Sequence, residues 1–535
     1  VRVIDLYAGV GGWSVGLKLA GFDIVRSYEW WQAAANTHRA NCGSTVEVID
    51  IRTLDTSTLP KDIDLVVGSP PCTQFSYSNR GGSGDVEDGL LDIAKFLSVV
   101  RACKPKAWAF ENVPRVKSVL EKEILPGGAL NSFADLFDDA KVEVFDFADF
   151  GLPQRRRRCI AGNFDFNLLA SYSRKSNHPT LGDVVSRLSI GREPIFKDSS
   201  KNTVTDNDPE EPLNWEEQRF NSDMKVAHPV YNGMPFPDPL DRSSRTVTAT
   251  CTRVSRESLI IKDDKTGGYR RLSVRERASL QSFPVNFQFL GSSHSQKLKM
   301  IGNAIPPLFT YMIGEAVKGT PKDKLIPAEE LDANSLISTT DSILTKPDNS
   351  GRAYPENRRF RFSIPNLRFK SGTRFELANI DGPMSWAVCF YFGDSKRIQK
   401  RQFTLSDVDS SARDCSLDLR ELLKSTMDEL RKYDFWDEIA GLQETWSHRS
   451  NGLHPFSLID AFGDFAERHA QSDAWTSLDE DDVKRYVTSI VYSNDTIQGL
   501  ATQKIENYAT MIAIGSLVAA LANQEFSKVF QPVAV

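Results

Sequence analysis

The chain has 535 residues, 40% hydrophobic and 25% charged, with a formal net charge of −6. That length exceeds one ordinary domain, so two or three are expected, and the composition excludes a disordered or fibrous protein. The negative balance does not exclude a nucleic-acid partner, because a duplex responds to the local field rather than the average.

In chain order, the first 165 residues alternate short apolar runs with helical patterns. Strands are predicted at 1–6, 24–28, 46–49, 63–67, 107–111, 142–146 and 159–162, with helices at 13–20 and 88–102 among them. Alternation of this kind predicts an α/β domain, a mainly parallel sheet with helices on both faces. From about 166 to 245 the regularity fades, and 206–212 and 233–239 read as loops of a small irregular module. Helical pattern returns at 273–282 and 307–317, and 321–358 reads as a linker. Residues 359–535 form a separate α+β extension, with strands at 375–380 and 386–392 followed by amphipathic helices. The apolar stretch 508–522 is shorter than a bilayer requires and reads as a buried core helix.

The first strand runs into Asp5-Leu-Tyr7-Ala-Gly9-Val-Gly11-Gly12-Trp13. Glycines in such a turn let the backbone approach a ligand, and the following helix offers free N–H groups, the usual seat of a nucleotide-like cofactor. Glu29 lies about twenty residues on, at a spacing that suits ribose hydroxyls. Asp50 ends the third strand on the same edge. The sharpest motif is Gly68-Ser-Pro-Pro71-Cys72-Thr73-Gln74-Phe-Ser76, directly after an apolar strand. Two prolines stiffen the chain before a cysteine at the C-terminal rim of the sheet, where a thiol on a rigid loop suits a nucleophile. Phe110-Glu111-Asn112-Val-Pro114 brings a carboxylate to the same rim, and Gly151-Leu-Pro-Gln-Arg155-Arg156-Arg157-Arg158 brings guanidinium groups that grip phosphates or a base carbonyl. A second basic region spans Arg242, Arg245, Arg253, Arg256, Lys262, Lys265, Arg270, Arg271, Arg275, Arg277, Lys297 and Lys299, with compensating acids elsewhere, as at 206–211.

These motifs, in this order, resemble those of the DNA cytosine-5 methyltransferases of prokaryotic type. The pattern continues in Arg245-Thr-Val-Thr248, in residues 271–284 and in residues 296–307, so the resemblance covers roughly 1–320. It implies a Rossmann-like S-adenosylmethionine-dependent methyltransferase fold, with a catalytic and cofactor domain at 1–165, a target-recognition domain at 166–245 and a return to the catalytic domain at 246–320. By position, it places S-adenosylmethionine against Tyr7 (Phe in most of the family), Gly9, Gly11, Gly12, Glu29, Trp30, Asp50, Ile51, Pro71, Asn303 and Ala304. It makes Cys72 the nucleophile that adds to carbon 6 of a flipped-out cytosine, Glu111 the acid at ring nitrogen 3, and Arg156 and Arg158 the paired arginines. Arg158 is expected to hold the base carbonyl and to favour the thiolate of Cys72. Thr73 stands where the family usually has Gln, and Gln74 is the neighbour able to take over its contact with the duplex.

The implied partner is duplex DNA, gripped by both basic regions, with a cognate restriction endonuclease in the same system. Seven scattered cysteines without a CxxC pair speak against zinc or disulfides and for a reducing cytoplasmic home, close to the nucleoid. A monomer is expected, with no metal. Rival readings are tRNA methylation and an inactive DNA-binding regulator on the same fold. In the extension, Asp381 with Asp394-Ser-Lys396 loosely echoes a metal-dependent nuclease.

Overall fold

The computed structural model describes residues 1–75, 84–174, 178–199, 203–208, 210–226, 233–338, 343–349, 354–369, 372–379, 385–394, 397–492 and 505–530. They divide into two compact units, one of 1–222 with 235–350 and one of 223–234 with 351–535.

The first unit is built on a seven-stranded sheet in the order β3-β2-β1-β4-β5-β7-β6. Its strands are β1 (Arg2–Leu6), β2 (Asp23–Glu29), β3 (Val46–Val48), β4 (Leu65–Gly68), β5 (Ala107–Asn112), β6 (Lys141–Asp146) and β7 (Arg157–Gly162). The first five pair in parallel, and β7 runs antiparallel to both of its neighbours. This is the doubly wound, Rossmann-like architecture that the alternation of elements predicts. Its cause is visible residue by residue. Val3, Leu65, Val67, Ala107 and Ala109 belong to one buried cluster. Ile4, Leu6, Val66, Trp108 and Phe110 belong to another, so successive side chains fill opposite faces. Helices α1 (Gly12–Leu19) and α2 (Gln32–Cys42) contribute to the first cluster, and α3 (Val86–Cys103) and α4 (Val116–Glu123) to the second.

Beyond β7, the first unit adds α5 (Phe166–Ser171), α6 (Leu181–Ser189), α7 (Trp215–Val226, whose last residues fall in the second unit), a hairpin of β8 (Ile260–Lys262) and β9 (Tyr269–Arg271), α8 (Val274–Leu280), α9 (His294–Asn303) and α10 (Pro307–Lys318). Leu181, Val184, Leu188, Ile195 and Phe196 share the buried cluster of β1 and α1. The segment read as a linker is structured at its start: Ala328, Leu331, Ala333 and Ile337 are buried in that same cluster. Few large apolar residues are needed there because the chain adds only short 3-10 turns to a core already formed.

The second unit is an antiparallel sheet of β10 (Arg361–Arg368), β11 (Arg374–Ala378), β12 (Ala387–Asp394) and β13 (Arg397–Arg401), in that order, followed by helices. The C-terminal helix Ala509–Val529 is longer than the sequence suggests, and by length and composition it could cross a membrane, yet 72% of its apolar window is buried. Asn523 ties it to the sheet: its Nδ2 donates to the carbonyls of Val388 (3.0 Å) and Phe403 (3.1 Å), and its Oδ1 accepts from the Val388 N–H (2.8 Å). Asp381, Ser395 and Lys396 of the nuclease-like pattern lie outside the described residues.

Candidate active site

The Cys72 loop leaves β4 at Gly68, where a Cβ would sit 2.6 Å from the Leu6 carbonyl, so β1 and β4 approach as only glycine permits. Three elements brace the loop beyond it. The Ser69 N–H donates to the Leu6 carbonyl at 3.2 Å. Ser69 Oγ accepts from Trp13 Nε1 of α1 at 3.0 Å. Asn112 Nδ2, at the end of β5, donates to the Pro70 carbonyl at 3.1 Å. Pro71 and Cys72 are therefore half-buried on a loop held from β1, α1 and β5.

Glu111 is 6% exposed. The antiparallel β7 sets its partner: Glu111 stands opposite Ile160, which places Arg158, two residues earlier, on the same face. Arg158 Nε lies 2.9 Å from Glu111 Oε1. Burial pushes the Cys72 thiol above its ordinary range and Glu111 adds to the rise, while Arg158 and Arg156 offset only part of it. The surroundings therefore favour the thiol, not the thiolate that the arginines alone suggest. Desolvation and one carboxylate outweigh two guanidinium groups already engaged elsewhere.

Arg156 is one of those. Its guanidinium is buried and donates to the carbonyls of Val247 (3.0 Å), Gly302 (3.1 Å) and Ala304 (3.1 Å). Burial and the nearby Arg158 pull it down to about 9, which leaves it charged at neutral pH. It binds β7 to two later segments of the first unit. Gln154 does the same, donating to the Leu280 carbonyl (3.2 Å) and to Gln281 Oε1 (3.0 Å) and accepting from the Val247 N–H (2.6 Å). Neither Asn112 nor Gln154 announces a role in the sequence; their only signal is membership of the Glu111 and arginine motifs.

On the neighbouring rim, Tyr7 takes φ +53°, Gly9 +54° and Gly11 +99°. For Tyr7 this left-handed backbone is strained, as often at ligand sites. The carboxylate of Glu29 accepts from the N–H groups of Gly9 (2.8 Å) and Trp31 (2.7 Å), which locks the glycine turn to the end of β2. Burial still leaves Glu29 above the usual carboxylate range, the backbone hydrogen bonds offsetting only part. Trp30 is 66% exposed. Asp50 is exposed beside the buried Ile51, and its Oδ1 accepts from the Arg52 N–H at 3.0 Å. A Cβ on Gly9 would meet nothing within 4 Å, so the turn opens onto free space beside these groups. Gly12 has another reason to be glycine: a Cβ there would lie 2.0 Å from the Ile305 carbonyl. That approach brings Asn303, exposed at the end of α9, and the buried Ala304 toward the same rim.

The second basic region is a correction. Arg253, Arg271, Arg275, Arg277 and Lys297 are each at most 5% exposed. Much of the region pairs internally: Arg253 with Glu217 (2.7 Å), Arg271 with Glu210 (2.8 Å), Arg245 with Asp238 (2.7 Å) and Arg270 with Glu276 (2.8 Å). Arg275 donates to the Thr205 and Pro284 carbonyls, both at 2.8 Å. The acids sit up to about ninety positions away, as for Lys297 and Asp206 (2.5 Å), so the sequence reads as a cationic cluster what the fold neutralises. Arg155, Arg157, Arg242, Lys262, Lys265 and Lys299 remain exposed. Arg155 and Arg242 line one cavity with His178, Thr180 and Ser244. Gln74 is also engaged: its Oε1 accepts from the Asp85 N–H (3.0 Å) and its Nε2 donates to Asp88 Oδ2 (3.2 Å), at the start of α3.

The family model of the C-5 cytosine-specific DNA methylases matches residues 1–319. The Type II methyltransferase M1.HphI of Haemophilus parahaemolyticus is 32% identical over 339 residues, 59% of this chain and 86% of that protein. M.NgoPII of Neisseria gonorrhoeae is 26% identical over 339 residues, 60% of this chain and 96% of that protein. Among solved structures, the Dnmt2 methyltransferase of S. pombe aligns with a TM-score of 0.42 and 19% identity, over 60% of this chain and 99% of that one. The family match ends close to the C-terminus of α10 and includes every site residue described above. The chain belongs to the C-5 cytosine-specific DNA methylase family and is a DNA cytosine-5-methyltransferase.

Proposed function

We propose that this protein transfers a methyl group from S-adenosylmethionine to carbon 5 of a cytosine flipped out of a specific duplex sequence, through a covalent bond to Cys72. The observation that carries the reading is the Glu111–Arg158 pair beside a half-buried Cys72 on a loop braced by Asn112 and Ser69. Carbon 5 is a weak nucleophile. Once Cys72 has released its proton to water, its Sγ adds to carbon 6, and the electron pair of the ring double bond moves toward carbon 5. Glu111 holds a proton at ring nitrogen 3 and limits the charge that develops on the ring. Arg158, fixed against Glu111, orients that carboxyl group and reaches the base carbonyl. Arg156 supports β7 from beneath. After the methyl group has joined carbon 5, water takes the proton on that carbon, the ring double bond re-forms and Cys72 leaves with the electron pair of its bond to carbon 6. A base inside the stack is out of reach of such a thiol, which is why flipping is required.

S-adenosylmethionine fits the rim beside Gly9. Glu29 and Trp30 would hold its ribose and one face of its adenine, Asp50 and Ile51 the adenine edge, and Asn303 and Ala304 the methionine end. When bound it supplies an electrophilic methyl group on a sulfonium. The exposed Arg155, Arg157 and Arg242 suit the phosphates of duplex DNA, and sequence recognition is assigned to the region 166–245. Protection of DNA from a cognate endonuclease, by a monomeric cytoplasmic enzyme, is the biological role that this reading implies.

The test is Cys72→Ala. Methyl transfer to duplex DNA is expected to fall below detection, with S-adenosylhomocysteine binding within about twofold of the parent, since the substitution removes only the attacking atom. Normal product formation by this variant overturns the assignment. Preference for tRNA over duplex DNA in a competition assay would favour the RNA rival instead.

A further inference from the structure

Gln74, two residues after Cys72 on the same loop, and the cofactor rim are joined by a chain of polar contacts that the proposed mechanism does not use. Arg52 follows Asp50 and Ile51, and its guanidinium grips two carboxylates of α3 at once. Asp92 receives Nη2 at 2.7 Å and Nε at 3.0 Å, a two-pronged contact. Asp88 receives Nη1 at 2.8 Å on its carboxylate and Nη2 at 2.9 Å on its carbonyl. From Asp92 the chain runs to the cofactor side, where the Tyr7 hydroxyl donates to its Oδ1 (3.2 Å) and carbonyl (3.1 Å). From Asp88 it runs to the DNA side, where Gln74, two residues after Cys72, donates to Oδ2 (3.2 Å). Gln74 is seated tightly there: a Cβ on Gly84 would lie 2.2 Å from its carbonyl, and one on Gly89 3.1 Å from its Cβ.

We propose that Arg52 is a positioning residue that couples occupancy of the cofactor site to the placement of Cys72, through Tyr7 and Asp92 on one side and Asp88 and Gln74 on the other. A guanidinium fork fixes both carboxylates in one plane, which an ammonium cannot do. Tyr7 supplies the cofactor end because its strained backbone and its hydroxyl are held together: any shift of the ring over a bound ligand is passed to Asp92. Tyr7 and Gln74 stand at the two ends of this one network. The inference rests on Cys72 as the nucleophile and on a cofactor beside Gly9.

The experiment is a double-variant cycle with Tyr7→Phe and Gln74→Ala, read on two sides. One readout is the dissociation constant of S-adenosylhomocysteine in the absence of DNA. The other is the rate of covalent trapping by a 5-fluorocytosine duplex at saturating S-adenosylmethionine. Loss of one such hydrogen bond is worth about fivefold. Gln74→Ala, remote from the cofactor, is expected to weaken S-adenosylhomocysteine binding by about that factor, and Tyr7→Phe, remote from DNA, to slow trapping similarly. In the double variant the two losses are expected not to multiply, as for partners in one network. Arg52→Lys, which keeps the charge without the fork, is expected to reproduce the double variant. If each single variant changes only the ligand on its own side, or if the losses multiply, the coupling is overturned. An enzyme that methylates yet never traps would count against the reading of Cys72, and the S-adenosylhomocysteine arm would still decide the coupling.

Discussion

In the proposed reaction a thiol at Cys72 has to lose its proton before it attacks carbon 6, and its surroundings oppose that step. Burial and Glu111 hold it above the ordinary thiol range, so at neutral pH the free enzyme carries the protonated form. On the proposed mechanism, bound cofactor and DNA supply the remaining electrostatic help. The sign gives a pH dependence: alkylation of Cys72 by iodoacetamide is expected to rise by about tenfold per pH unit between pH 7 and 9, because only the thiolate reacts. Glu111→Gln, which removes the opposing charge, should raise the rate severalfold at pH 8. Peptide mass spectrometry would read both effects, with Cys42 and Cys159, each pushed up to about 12, as slow internal standards. A rate independent of pH from 7 to 9 would contradict this picture. At this scale the motifs of Cys72, Glu111 and Arg158 were legible as segments that the fold brings together. Arg156 was legible as a pattern but not as a scaffold, since Val247, Gly302 and Ala304 reach it only through folding. The pairs Arg271–Glu210 and Lys297–Asp206 were hidden for the same reason: nothing local marks a partner so many positions away.

Among the elements, β7 has the greatest consequence for the site. Being antiparallel, it returns the arginine run alongside β5 and sets Arg158 by Glu111. Strand patterns predicted β1 to β7 to within a residue or two and a mainly parallel sheet, but did not mark β7 as antiparallel, which depends on how the chain reverses between β6 and β7. Helices α2 and α9 escaped notice because their exposed faces are polar and their apolar periodicity is short. The glycine turn separates into two functions that substitution can distinguish. Gly12→Ala drives a Cβ into the Ile305 carbonyl and is expected to cost about 1–3 kcal/mol of stability, as overpacking does. Gly9→Ala meets no neighbour and pays only for its positive φ, about 1 kcal/mol, while intruding on the space proposed for the cofactor. Urea unfolding and S-adenosylhomocysteine titration in parallel are therefore expected to show Gly12→Ala as chiefly a stability variant and Gly9→Ala as chiefly a binding variant. Equal unfolding losses with equal affinities would remove the distinction.

In the whole molecule, a family match over 1–319 is followed by a further α+β unit with its own buried centre. Residues 328–337 were not legible in the sequence, because a few buried alanines and leucines on short turns leave no periodic trace. The irregular module between β7 and Arg245 proved partly continuous with the core of the first unit through Leu181, Val184 and Leu188, a join that only packing reveals. In the proposed function a single rim unites the first unit, with Gly9, Glu29 and Asp50 on one stretch and Cys72, Glu111 and Arg158 on the next. The covalent claim for that rim is tested most directly by incubating the protein with S-adenosylmethionine and duplex DNA in which 5-fluorocytosine replaces the target base. A denaturant-stable complex is expected, with the base attached to the peptide that contains Cys72, and none with Cys72→Ala. Methylation of ordinary cytosine without any trapped complex, or attachment at another residue, would contradict it.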